Sequence, residues 1–205
     1  MWNSFLLRIR NSGKLPKSTN PGRRLSCVDM DPYSDGSEAA MRLVGIDYGM
    51  TLDEMLCSPQ AASEFDQLAG MFSPGYSSFE YRWAALALRK RAGTKRYRTL
   101  ASDQQEYWSQ QRTPNRLAIE KCLSAKYDCP GVYVVLFEDS VLYVGETQSI
   151  RDRVEKLLNT EAWMNFAPTA VRAWPLDNEQ QQFGLRSYLI NRDKPLLNSE
   201  YLRQS

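Results

Sequence analysis

The 205-residue chain contains no histidine. Histidine supplies the base in Ser/His and Cys/His nucleophilic sites and is a common metal ligand, so its absence excludes these kinds of site. Any chemistry must depend on tyrosine, arginine, lysine, carboxylates or a metal held by oxygen ligands.

Cysteines are few, and long apolar runs are absent. The four cysteines are scattered and form no CxxC pair: Cys27, Cys57, Cys122 and Cys129. This pattern supports neither a zinc knuckle nor a disulfide framework. The N-terminal apolar run, residues 5–7, is too short for a signal sequence, and no later segment is long enough to cross a membrane. The sequence therefore predicts an intracellular, cytoplasmic protein without a membrane partner. Association with a nucleoid is compatible with this prediction.

Charge is nearly balanced overall, at a formal net charge of +2, so only local clustering can indicate a nucleic-acid partner. No acidic residue precedes Asp29, and the preceding segment is rich in Ser, Asn, Pro, Lys and Arg. Residues 1–40 are predicted to form a disordered basic tail. An unstructured extension is favoured over a nucleic-acid contact, and a transit peptide is a third interpretation.

Residues 41–126 have a helical pattern. Ser58 followed by Pro59 is typical of a helix N-terminus, Ser77 with Glu80 forms a capping box, and Gly93 is a stop signal. These signals predict a two-helix unit that could position nucleic acid. The following polar segment is predicted to form two helices separated at Pro114.

A basic strip lies where the second of these helices ends. Residues 89–98 contain no acid and one aromatic residue, Tyr97, together with Arg89, Lys90, Arg91, Lys95, Arg96 and Arg98. The strip is either a solvated helix end or a patch that contacts nucleic-acid phosphates, and the sequence favours neither.

The periodicity changes after Pro130. Residues 131–138 and 141–147 are predicted strands separated by a hairpin signal at Asp139-Ser140. A helix begins near Ser149, a third strand covers residues 169–176, and a last helix covers 178–192. Residues 127–205 are therefore predicted to be an α/β (α+β) domain, a small, mostly antiparallel three-stranded sheet packed with helices.

Several residues of this domain have a recognisable spacing. Gly-Val-Tyr at 131–133 is followed by Tyr-Val-Gly at 143–145, then by Thr147, Arg153 and a closing Pro195 to Asn198 element. This pattern resembles the GIY-YIG nuclease superfamily over residues 130–200.

The resemblance implies a GIY-YIG-type endonuclease that hydrolyses phosphodiester bonds in DNA with Mg²⁺ or Mn²⁺. Tyr133 would help to deprotonate the attacking water, Tyr143 would orient it, and Arg153 would stabilise the charge on the phosphate. Thr147, Asn198, Arg186 and the basic strip would contact nucleic acid. The alternative is that the tyrosines only pack, since aromatic residues are common in strands.

Strand geometry is compatible with a shared site. If the hairpin loop has an odd number of residues, Val135 lies opposite Tyr143, and Tyr133 faces the same side of the sheet. On the next helix, Arg153 lies about 60° from Ile150 and about 40° from Leu157, at the rim of the apolar stripe.

The sequence departs from the superfamily pattern at the metal ligand. The glutamate expected twelve residues before Asn198 is Arg186. Glu146 either forms an ion pair with Arg186 or holds the metal from the other side of the pocket, and Glu179 is a further candidate ligand. Three hypotheses follow: an active endonuclease, a catalytically silent relative that binds nucleic acid with Arg186 in an anion clamp, and a non-enzymatic interaction scaffold.

Overall fold

The computed structural model describes residues 27–93 and 95–198, and the side chains of residues 29–91 and 99–198. The first half is helical: α1 (Cys27–Tyr48), α2 (Leu52–Cys57), α3 (Pro59–Phe72), α4 (Ser78–Gly93) and α5 (Lys95–Gln110). Two local start signals are confirmed, since Pro59 opens α3, and the Glu80 carboxylate accepts a hydrogen bond from the Ser77 amide at 2.8 Å. None of the helices in these ranges is both long and apolar enough to cross a membrane.

Helix α1 begins inside the segment predicted to be a disordered tail, so residues 27–40 are a correction to that prediction. The local sequence is misleading, because Asp-Pro and Asp-Gly-Ser are turn-forming combinations. Tertiary packing decides the outcome: Tyr33, Met41 and Val44 are buried against α3 and α4. A Cβ at Gly36 would lie 2.4 Å from the Ser73 hydroxyl oxygen, so only glycine permits this close approach of α1 to the end of α3.

The polar segment after α4 also differs from the prediction. Helix α5 ends at Gln110, and between Pro114 and the first strand the structure has the short 3₁₀ turns Ile119–Leu123 and Ala125–Tyr127 in place of a second helix. Ahead of these turns, Leu117 exchanges backbone hydrogen bonds of 2.9 and 3.0 Å with Val171. The residue before a proline avoids the helical region, and this pairing then holds the chain extended.

The second half contains the predicted three-stranded antiparallel sheet. Its strands are β1 (Gly131–Phe137), β2 (Ser140–Thr147) and β3 (Ala170–Pro175), in the order β2-β1-β3. Helices α6 (Ile150–Leu158), α7 (Glu161–Met164) and α8 (Glu179–Asp193) accompany it. The mixed α/β class predicted from the sequence is confirmed.

The two faces of the sheet bury different layers. On one face, α6 and Trp163 pack against Tyr133, Val135 and Tyr143. On the other face, Leu185 and Leu189 of α8 pack against Val132, Val134, Leu136 and Val144. The outer edge of β2 is covered by residues 196–198, where the Leu197 amide donates to the Leu142 carbonyl at 2.9 Å. The tyrosine-bearing face therefore looks towards the helical half.

Candidate anion-binding site

The strand register brings the two tyrosines together. Val135 lies opposite Tyr143, and Tyr133 lies opposite Gly145, as the odd-loop prediction requires. Their ring centroids are 6.1 Å apart, and both side chains are buried. A Cβ at position 145 would lie 2.3 Å from Cζ of Tyr133, so glycine is needed for the Tyr133 ring to cross this point of β2.

Helix α6 places Arg153 beside the phenols. The helix starts at Ser149, whose side chain accepts a hydrogen bond from the Asp152 amide at 3.2 Å. Arg153 points inward and is 4% exposed. Burial, and next the Asp35 carboxylate, raise the pKa of Tyr133 well above its ordinary value, although Arg153 opposes this effect. Both phenols are therefore neutral at physiological pH, since burial and the neighbouring Glu38 raise the pKa of Tyr143 in the same way.

The partners of Arg153 come from helix α1. Its guanidinium contacts Asp35 at 2.9 Å and Asp31 at 3.1 Å, and it also donates to the Asp31 backbone carbonyl. Burial lowers the pKa of Arg153, but Asp35, Tyr133 and Asp31 outweigh it, so the net pKa is raised. Arg153 is therefore a charged group, neutralised by carboxylates of the same chain.

A second guanidinium enters the same region from α8. Arg186 faces inward and contacts Oε2 of Glu38 at 2.5 Å, and the Tyr143 hydroxyl donates to the same oxygen at 2.8 Å. Glu38 itself is 1% exposed. Burial lowers the pKa of Arg186, but Glu38, Tyr143 and Glu146 raise it by more, so the net pKa is raised. One carboxylate oxygen thus receives a phenol and a guanidinium.

Glu146 has a different partner from the one predicted. It forms an ion pair with Arg91 of α4, whose guanidinium lies 4.9 Å above the Phe183 ring. Arg186 pairs with Glu38 instead, although Glu146 is close enough to raise the pKa of Arg186. The expected Glu146–Arg186 ion pair is therefore replaced by two separate pairs, each involving the helical half.

The residues of the pocket do not fit a divalent metal. Within the described part of the chain, no three Asp, Glu or Cys side chains are grouped so that they could hold an ion. Arg186 adds a cation to the pocket, and Glu38 and Glu146 each form an ion pair with a guanidinium. Glu179, the further candidate, is exposed and lines a cavity that Glu146 and Asp31 also line. The expected Mg²⁺ or Mn²⁺ has no ligand set here.

The other predicted nucleic-acid contacts have partners within the chain. The Thr147 hydroxyl donates to Asp31 at 3.1 Å. The Asn198 amide accepts from the Val144 N–H at 2.7 Å and donates to its carbonyl at 3.0 Å, so it holds the segment after α8 against β2. Both side chains are buried.

The basic strip is only partly described. Arg89 pairs with Asp53, Lys90 is exposed, and Arg91 belongs to the pocket through Glu146. The side chains of Lys95, Arg96 and Arg98 lie outside the described residues. The proposed phosphate contacts of the strip remain a prediction.

Sequence reasoning missed Asp31, Asp35 and Glu38. Their spacing of four and three residues places them within about 60° of one another on a helix. The spacing is visible in the sequence, but it indicates a shared face only if the segment is helical. Pro32 and Gly36, which lie among these acidic residues, are typical of turns and argue against a helix.

Comparisons with known proteins give a limited likeness. No protein-family model and no curated protein matches the chain. Among solved structures, the chain is similar to the GIY-YIG N-terminal endonuclease domain of UvrC from Thermotoga maritima, in two tyrosine-to-phenylalanine variants bound to its catalytic divalent cation. The identities are 25% and 26%; each match covers 40% of this chain and 96% of the other, with a TM-score of 0.35.

Proposed function

We propose that the chain is a nuclease-like protein that binds nucleic-acid phosphodiesters without cleaving them. Its binding site is the anion pocket, defined as Tyr133, Tyr143, Arg153 and Arg186. The resemblance of residues 130–200 to GIY-YIG nucleases suggests a phosphodiester ligand, and the composition of the pocket supports an anion.

The observation that carries this proposal is the convergence of phenol and guanidinium groups on carboxylate oxygens. Arg186 and Tyr143 meet at one oxygen of Glu38, and Arg153 holds Asp35. Guanidinium groups bind carboxylates and phosphates through the same fork of N–H donors. A pocket that binds carboxylates in this way has the donors that a phosphodiester requires.

Binding is favoured over hydrolysis by two features. The phenols have pKa values raised by burial, so neither is a base near neutral pH. The position of the expected metal ligand is Arg186, which adds positive charge to the pocket rather than a ligand. Arg186 therefore strengthens anion binding while it removes the means of activating water.

Salt-dependent binding tests this proposal. Fluorescence anisotropy with labelled duplex and single-stranded oligonucleotides should show an affinity that falls steeply with salt, because neutralised phosphates release counterions. Lys90→Ala should lower the slope of log K against log salt by about 1 if the basic strip contacts phosphates, whereas Lys121→Ala, at an exposed lysine outside the strip, should leave it unchanged. A flat salt response would favour the scaffold hypothesis instead.

A metal-dependent endonuclease is the second candidate, and the convergence of Tyr133, Tyr143 and Arg153 favours it. Supercoiled plasmid incubated with Mg²⁺ or Mn²⁺ separates the two candidates. We expect no nicking by the wild-type protein. Nicking that disappears in Arg153→Ala would establish hydrolysis at this pocket and contradict the silent-binding proposal.

A further inference from the structure

We propose that helix α1 is an internal latch: Asp31, Asp35 and Glu38 occupy the anion pocket as substitutes for phosphate, and nucleic acid binds there only when α1 withdraws. This inference rests on the proposed function, because it names what controls access to the same pocket. The three residues are called the latch carboxylates below.

The latch carboxylates satisfy the pocket's charged groups. Arg153 has two of them as partners, at 2.9 and 3.1 Å, and Arg186 has the third, at 2.5 Å. Asp35 and Arg153 are each 4% exposed at the side chain, so water does not replace these contacts. An external phosphodiester therefore has no open route to the guanidinium groups while α1 is in place.

Helix α1 has two different faces. Its apolar face, which includes Tyr33, Met41 and Val44, packs on α3 and α4, while the latch carboxylates face the sheet half. Withdrawal therefore means that α1 moves together with α3 and α4, keeping its apolar core. Withdrawal gives up the charged contacts at the pocket, which another anion can replace, and also the packing of Ala39 and Phe72 against the core of the sheet half.

Additional cations strengthen the latch. Lys156 of α6 donates to the Pro32 carbonyl of α1 and lies 5.1 Å from the Tyr76 ring. Arg91 of α4 holds Glu146 of β2 across the same boundary. An attached ligand is present at an effective concentration of about millimolar or more, so a free anion competes poorly with it. The latch therefore predicts weak binding by the wild-type protein and stronger binding once its charge is removed.

The test compares two full-length double variants with the same change in charge. Asp35→Asn with Glu38→Gln neutralises two of the three latch carboxylates while preserving side-chain size. Asp47→Asn with Asp103→Asn makes the same change at exposed positions on α1 and α5. Oligonucleotide affinity is measured by anisotropy, and the melting temperature is measured in inorganic phosphate and in chloride of equal ionic strength.

The latch variant is expected to bind oligonucleotide at least about tenfold more tightly than the wild type or the control, a change of about 1.4 kcal/mol. The rise in melting temperature from chloride to phosphate should also be larger for the latch variant than for the wild type or the control, since a ligand that binds only the folded state stabilises it. Adding Arg153→Gln should abolish both gains. Equal, salt-dependent affinity in all variants would overturn the latch but leave nucleic-acid binding intact. Absence of oligonucleotide binding alongside stabilisation by phosphate would support the latch and reject the nucleic-acid ligand.

A second measurement on the wild-type protein covers the case in which the latch variant does not fold. Amide hydrogen exchange is followed with and without saturating oligonucleotide. The latch predicts faster exchange along α1, because this helix loses its contacts with the sheet half when nucleic acid takes its place. Unchanged or slower exchange along α1 at saturation would overturn the latch.

Discussion

Replacing Glu38 with leucine should destabilise the protein by about 4 kcal/mol, because it leaves the buried Arg186 guanidinium without its carboxylate partner. Removing one partner of a buried ion pair costs about 3–5 kcal/mol. Glu146 still offers Arg186 some compensation, so the lower end of that range, about 3 kcal/mol, applies here. The Tyr143 hydroxyl also loses its acceptor, at about 1 kcal/mol.

Urea unfolding followed by tryptophan fluorescence and far-UV circular dichroism measures this cost, provided that the two transitions coincide. Glu106→Leu, at an exposed position on α5, is the matched control and should change the unfolding free energy by no more than about 0.5 kcal/mol. Glu38→Leu combined with Arg186→Met should recover most of the loss, because an apolar pair can replace a buried ion pair. A loss below about 1 kcal/mol for Glu38→Leu would refute the view that Arg186 depends on this carboxylate.

Three further predictions concern the pocket and its support. Tyr133→Phe removes a buried hydroxyl that has no hydrogen bond of ordinary geometry among the described residues, so stability at pH 7 should change by less than about 1 kcal/mol. The pKa of Tyr133 is raised in the folded state, so the neutral phenol contributes stability that is lost as the pH rises above about 10. Urea titrations between pH 9 and 11 should therefore show a smaller loss of unfolding free energy in Tyr133→Phe than in the wild type. Gly145→Ala should cost about 1–3 kcal/mol, since its Cβ would collide with the Tyr133 ring; an unchanged urea midpoint would contradict this packing. Asn198→Ala should cost about 2 kcal/mol through two lost hydrogen bonds to Val144, whereas Asn115→Ala, at an exposed position, should have no measurable effect.

Much of the sheet half could be predicted because its signals are local. The alternation of side chains along β1 and β2 fixes the shared face of Tyr133 and Tyr143, and the observed pairing of Val135 with Tyr143 agrees. The cap at Ser149 fixes where α6 begins and so where Arg153 lies. These features depend on residues close together in the chain.

The sequence by itself determined the antiparallel sheet, the convergence of two phenols and a guanidinium, and the need of an inward-facing Arg186 for a partner. Only the tertiary structure decided what that partner is. Glu38 is separated from Tyr143 by 105 residues and from Arg186 by 148, so no local pattern links them. The same holds for α1, whose turn-forming residues become helical because one face is buried on α3 and α4 while the other meets buried cations. Long-range charge pairing, rather than local propensity, places the acidic helix in the pocket.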